Sequence, residues 1–598
     1  MTEVSHREEQ ERLLENLSKR LTMAAFSRRK VLASSAGAAA ALGLGVSGVG
    51  AQATPSTGGE GPTTDEEQVF YSSALQNDPS SFDFNADLYC GAEVETWAGL
   101  LTFNADGIAV ADWAETFESN EDASVWTFHI RPDNTGWSNG DPITAEDFVW
   151  SFARLLDPAT ANVYAFILYD IKNAEAFSTG VGPDGATPTP AMTSADLGLV
   201  AIDQWTLEIT LEGPRANFPQ KLAYTACVPA HRASVEEHGA DWALGEVPLV
   251  SSGPFKLDTW EKGVMCDLSR NDNYWDAANI HLTRLIDPII PASNQANNFE
   301  NGTGDQQLDW ATLGAADYVR FRDDPTLSTQ LHQYIYPGIW MLLPSNGVAP
   351  FDSLEVRQAL SHAIDRDRLV TVTEGLVQPA HCMVPQGVYG FFEDPEISAI
   401  QAFDPEAAMA ALVGTPYEGG ANWPAVTILM RGEEEIYNSD VMLNDIIAQL
   451  DENLGLKVEI VSLTEQAFRD RLYSNQDQLV WIRWWYDYPD PDNGYFDMYY
   501  GKKAAGTKRQ AWENDEFDSI VVEAKAVLDP DARLELYKQA EKIIQTDVGY
   551  IPVVYRLDVY AFKPWVKGIT INSQGYTVPD GNIFVRANTR YFVEGREG

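Results

Sequence analysis

The sequence predicts an α/β protein of two or three domains. Two observations carry this. At 598 residues the chain is too long for one compact core. Its secondary-structure signals also alternate between helix and strand, most clearly over 439–485, where strand–helix–strand order implies a right-handed crossover and a mostly parallel sheet. No internal repeat is visible.

In chain order, the first element is an address. "SRRKVL" at 27–32 precedes an apolar run, Ala33–Val49, and then the A-x-A site Ala51–Ala53. Charged, apolar and small-residue regions in that order define an export signal. Arg28-Arg29 within S-R-R-x-x-L resembles a twin-arginine signal, which exports folded proteins. The run is short and rich in Ala, Gly and Ser, so it makes a poor membrane anchor. Residues 1–53 are therefore expected to be a signal peptide, and 54–66, rich in Pro, Gly, Thr and acid, a flexible linker.

Further along, "PFDSLEVRQALSHAIDRDRLV" (350–370) reads as two helices. Val356, Leu360, Ala363 and Ile364 form the apolar face of the first; Asp365 or Asp367 caps the second, and Gly375 ends it. From 439, Ser439 or Asp440 caps a helix with Met442, Leu443, Ile446, Ile447, Leu450 and Leu454 on one face, ended by Gly455. Leu456, Val458 and Ile460 then alternate as in a strand. Thr464 caps a short helix holding Phe468 and Leu472. "LVWIRWW", Leu479–Trp485, reads as a buried strand.

That strand runs into "WWYDYPDPDN" (484–493). Asp487 lies among Trp484, Trp485, Tyr486 and Tyr488, just past the carboxyl end of the strand, where open α/β sheets bind ligands. Pro489 and Pro491 stop the strand. Asp490 and Asp492 are expected to form turns, and on the residues alone Asp487 can equally cap a turn.

Composition excludes several functions. The net charge is −47, or −49 without the signal, whose seven Lys/Arg and five Asp/Glu contribute +2. Nucleic-acid binders are normally basic, so no nucleic-acid partner is expected. Cys90, Cys227, Cys266 and Cys382 contain no C-x-x-C pair, which argues against a zinc ribbon and leaves disulfides or free thiols open. No Walker, G-x-S-x-G or H-E-x-x-H motif is present. His231 and His238 are expected in solvated or capping roles. No catalytic residue, metal ligand or cofactor is expected.

The ordered motifs resemble the large solute-binding proteins of peptide ABC importers, family 5 of the bacterial extracellular solute-binding proteins. "NDPSSFDFN" (77–85) is similar to the family's D-P-x-S-L-D-P element, and 126–158 to its most diagnostic stretch, a strand, a turn at Asn139-Gly140 and a helix opened by Thr144 and Asp147. "SSGPFKL" (251–257), "RNDNYW" (270–275), 350–370, 375–391, 403–413 and 532–555 continue the match.

The resemblance implies a two-lobed clamshell of the large peptide-binding type. Lobe I would hold 67–335 and 560–598, with an extra subdomain near 103–245. Lobe II would hold 336–559. The crossings, near 334–339 and 556–562, would form the hinge. In the family's peptide binders W-x-x-D-Y carries an Asp that pairs with the ligand's α-amino group, and here it lands on Asp487, with Trp484 at the family's Trp. Trp485 and Tyr486 depart from the pattern, which usually has small residues there, and their rings speak against long peptides. The expected ligand-binding residues are thus Asp487, Trp484, Trp485, Tyr486 and Tyr488. The implied protein is an exported monomer that catalyses nothing and hands a peptide or small amine-bearing solute to an ABC permease, in the periplasm or outside the cell. An oligosaccharide, opine or metal chelate in the same fold is the alternative, and an extracellular hydrolase a remote one.

Overall fold

The computed structural model describes residues 62, 67–72, 75–87, 90–92, 94–181, 191–432, 439–503, 508–572 and 591–596. The expected signal, and all of the linker but Pro62, lie outside the described residues. No described helix is long and apolar enough to cross a membrane.

The largest sheet has seven strands. Along it lie Trp310–Thr312, Ile551–Phe562, Leu331–Pro344, Leu479–Trp485, Val426–Arg431 and Val458–Leu463, with Val377–Pro379 also pairing Ile551–Phe562. Val426–Arg431 is parallel to both of its neighbours, as the helix–strand alternation predicts, while the other pairs are antiparallel. The expectation of a mostly parallel sheet therefore holds only for this end. Its crossovers are the helices Ser439–Leu454 and Glu465–Leu472; Gly455, with φ of 63°, follows the first. Ile460 is 37% exposed although Leu456 and Val458 are buried, because its strand forms the edge of the sheet.

Leu331–Pro344 and Ile551–Phe562 are the two long strands, of 14 and 12 residues. Both segments expected to cross between lobes lie within them. All residues of Ile551–Phe562 are buried. Its charges fall two apart on one face and satisfy each other: Arg556 Nη2 donates to Asp558 Oδ2 at 2.8 Å, and the Tyr560 hydroxyl donates to the same oxygen at 3.2 Å. Pairing is regular through Ile335 with Leu557 and resumes at Ile339 with Tyr555. Three residues, Tyr336–Gly338, thus oppose Arg556 alone, and the long strand is bulged at this point.

Earlier residues form two further four-stranded sheets. One joins Val69–Tyr71, Arg284–Pro288, Met265–Arg270 and Phe255–Glu261. The other is an antiparallel sheet of Ala114–Ser119, Val125–Ile130, Thr206–Thr210 and Leu199–Asp203 within the expected subdomain. The helix Ala145–Leu156 packs on the latter. Its start is fixed as the sequence suggests: the Asp147 carboxylate accepts from the Thr144 N–H at 2.8 Å and from its hydroxyl at 2.7 Å. Asp365 caps the helix Arg366–Val372, and His231 caps Arg232–His238, its ring accepting from the Ser234 N–H. All four cysteines are free and buried.

Candidate functional site

Strand Leu479–Trp485 ends just before Tyr486–Asp490, and the helix Pro491–Tyr499 starts immediately beyond. Asp490 is the N-cap, accepting from the Asp492 N–H at 2.9 Å, and Pro491 takes the first helical position. The Arg533 guanidinium grips Asp490 with two bonds of 2.6 Å, nearly out of solvent. The expectation that Asp490 forms a turn is met. Asp492 does something else: it is wholly buried inside the helix's first turn and points at another part of the chain.

The strand's alternation sorts the five expected ligand residues. Trp484, Tyr486 and Tyr488 are buried, whereas Trp485 and Asp487 keep part of their surface open. The Tyr486 hydroxyl donates to Met383 O at 3.2 Å and lies over Gly494, where a Cβ would come within 2.3 Å of it. Tyr488 has Asp492 and Asp497 oxygens each 3.1 Å from its hydroxyl, and one proton to give. Trp484 Nε1 donates to Asn493 Oδ1 at 3.2 Å, and Arg509 lies 4.7 Å over its ring. Trp485 packs edge-on against Tyr336 and Trp340, at 5.1 and 4.7 Å, over the bulge.

Asp487 itself is held from two sides. Its N–H donates to Asn493 Oδ1 at 3.0 Å, and Asn493 Nδ2 donates to Asp497 Oδ2 at 3.0 Å. Its carboxylate Oδ1 accepts from the Tyr164 hydroxyl at 3.1 Å, from a residue 323 positions earlier. Tyr164 and Asn493 were not anticipated from the sequence. For Tyr164 no local signal exists; Asn493 closes the stretch 484–493, and its short amide side chain is itself the signal of a backbone partner. The arrangement offers a carboxylate held by Tyr164 on a partly buried residue whose chain neighbours are aromatic. Such a group can receive an ammonium without an unpaired charge being buried.

A family model described as bacterial extracellular solute-binding proteins, family 5, middle part, matches residues 109–506. The chain belongs to this family. Among curated proteins it is 28% identical to the oligopeptide-binding protein OppA of Bacillus subtilis, over 86% of this chain and 93% of that one. It is 27% identical to the periplasmic oligopeptide-binding protein OppA of Salmonella typhimurium, over 96% and 99%. Among solved structures, the unliganded open form of the periplasmic murein tripeptide binding protein MppA superposes with a TM-score of 0.75 at 24% identity, covering 90% of this chain and 99% of that one. OppA of Haemophilus influenzae in complex with the peptide RPPGFSPFR gives 0.64 at 23%, covering 88% and 99%. The α/β two-lobed clamshell is thus the fold of this family 5 protein, and the family consists of solute-binding proteins.

Proposed function

We propose that this family 5 protein is exported, captures peptides by their free α-amino group at Asp487, and delivers them to an ABC permease at the membrane. The observation that carries this reading is Asp487 at the end of a sheet strand, a partly buried residue whose carboxylate accepts from Tyr164 and whose backbone N–H is held by Asn493. Trp485 flanks it as the second partly open residue. Trp484, Tyr486 and Tyr488 act from behind, as packing that keeps water from the pair and strengthens it. The names of its relatives, which bind oligopeptides and a murein tripeptide, point to the same ligand class.

In this reading lobe I holds 67–335 and 560–598 and lobe II 336–559, with the two crossings, near 334–339 and 556–562, as the hinge. Ligand binding favours the closed arrangement, and closure reports occupancy to the permease. The protein acts as a monomer, reaches the outside by the twin-arginine route and has no nucleic-acid partner.

Native mass spectrometry of the gently purified exported protein tests this. A set of peptide masses retained by the wild type and lost from Asp487→Ala is expected. One non-peptide mass retained by both proteins overturns it.

A further inference from the structure

A buried cluster of charges, shared between two distant parts of the chain, reaches the residues that follow Asp487. From the region of the expected subdomain come Asp170, Arg215, Asn217 and Lys221. Lys221 Nζ donates to Asp170 Oδ2 at 2.6 Å, and Arg215 Nε to Asp170 Oδ1 at 2.5 Å. From the far side come Asp492 and Lys525, whose Nζ is 3.7 Å from Asp492 Oδ1 and 3.1 Å from the centre of the Phe496 ring. The two groups meet directly. Asn217 Nδ2 donates to Asp492 Oδ2 at 3.0 Å, the Ala216 N–H donates to Lys525 O at 2.8 Å, and Lys221 Nζ lies 5.3 Å over the Tyr488 ring. Gln220 Nε2 adds a bond to Pro489 O at 3.2 Å.

This is a costly arrangement. The Asp170, Lys221, Asp492 and Lys525 side chains are each at least nine-tenths buried, and buried ions are unfavourable unless fully paired. Burial alone would raise the pKa of Asp492, yet Lys525 and Lys221 outweigh it and hold the group below its ordinary value. Burial alone would lower Lys221, yet Asp170, Asp497 and Asp492 hold it above. The contacts that join the two groups fall on 488–492 and Lys525, and 488–492 directly follows Asp487. Asp492 adjoins Asn493, the residue that takes the Asp487 N–H.

We infer that in the closed arrangement the segment Arg215–Leu222 buttresses the amine anchor across the lobe boundary, with Asn217 and Lys221 as positioning residues that act on Asp487 through Asp492, Tyr488 and Asn493. The subdomain is then a wall of the ligand site. Without the buttress Asp492, in the first turn of Pro491–Tyr499, loses its bond from Asn217 and Tyr488 loses the ammonium over its ring, and the Asp487 carboxylate is free to turn away from the ligand's ammonium. Binding energy specific to the free amine falls, while contacts to the peptide backbone persist.

The inference rests on the peptide reading above, and its test separates the two. The probe is an equimolar mixture of random di- to pentapeptides made without lysine, half with free and half with acetylated N-termini. The full exported protein is equilibrated with it, and retained peptides are counted by mass spectrometry as a free-to-acetylated ratio. Wild type is expected to favour free termini strongly and Asp487→Asn to lose that preference. Asn217→Leu and Lys221→Met are expected to reduce the ratio about tenfold, as loss of one charge-linked hydrogen bond would. Lys221→Arg, which keeps the ion pair, is expected to restore it. Simple loss of folded protein would lower both peptide classes together and leave the ratio unchanged. If wild type shows no preference, the amine reading fails. If wild type and Asp487→Asn behave as stated while Asn217→Leu and Lys221→Met keep the wild-type ratio, the buttress alone is overturned; Asn217→Leu, which disturbs no ion pair of Lys221, decides the matter if Lys221→Met fails to fold.

Discussion

Gly338 lies directly beneath the indole of Trp485: a Cβ built at 338 would stand 1.9 Å from Trp485 Cε3. The two residues are register partners on neighbouring strands. Trp485 can be large here because its partner has no side chain, so the two identities are linked.

Gly338→Ala is accordingly expected to destabilise the protein by about 1–3 kcal/mol through overpacking. In a Trp485→Ala background the same change should be nearly neutral. Denaturant unfolding of the four proteins in a double-mutant cycle measures this, and a coupling near zero would show that ring and glycine are independent.

Tyr164→Phe removes the hydroxyl that donates to Asp487 Oδ1 at 3.1 Å. A hydrogen bond to a charged group is worth about 1.5–3 kcal/mol, so binding of free-amine peptides should weaken by about tenfold or more. Calorimetric titration with the peptides found on the wild-type protein checks it. An unchanged affinity would remove Tyr164 from the site.

Asp170 makes stability depend on acid. Burial alone would raise its pKa, but Lys221, Lys525 and Arg215 outweigh burial and hold it far below the usual carboxylate range. The unfolded chain, whose Asp titrates near pH ~4, therefore binds this proton before the folded one does. The stabilisation is complete above about pH 5 and is lost progressively as pH falls below about 4. Asp170→Asn should lower stability at pH 7 by several kcal/mol, since Lys221 and Arg215 lose their buried partner, and flatten the acid limb. Melting temperatures of both proteins from pH 7 to 3 read the difference.

The four cysteines should be inert in the folded protein. Each is buried, and burial pushes the Cys90, Cys227 and Cys382 thiols well above their ordinary pKa, that of Cys382 to about 12. A thiol-specific reagent at pH 8 should find none in the native state and all four after denaturation. Fewer than four on denaturation without reductant would indicate a disulfide.

Much of the local structure is legible in the sequence because local physics decides it. The helix at 439–454 follows from its apolar face and Gly455, and the capped start at Thr144 from two residues three apart. The position of Asp487 past a strand end follows from the run before it. What fails is whatever depends on the rest of the chain. Ile460 alternates correctly, yet its strand ends the sheet and leaves it exposed. Asp492 sits in a proline-rich stretch that reads as a turn, yet its partners include Asn217, 275 residues away. Nothing near Tyr164, Asn217 or Lys221 announces a role at 487, because only the fold brings those segments together.

The order of the seven-stranded sheet has a consequence for how the molecule is made. Trp310–Thr312 and Leu331–Pro344 are close in sequence, yet they do not pair with each other: Ile551–Phe562 lies between them. Synthesis runs from the amino end, so the ribosome delivers both flanking strands more than 200 residues before the one that joins them (551 minus 344 is 207). Until then the nascent protein carries a slot with two unpaired backbone edges, the kind of surface that recruits other chains. A message cut short before codon 551 would yield a product with that slot permanently open. This sheet can first become whole only once Ile551–Phe562 has been made.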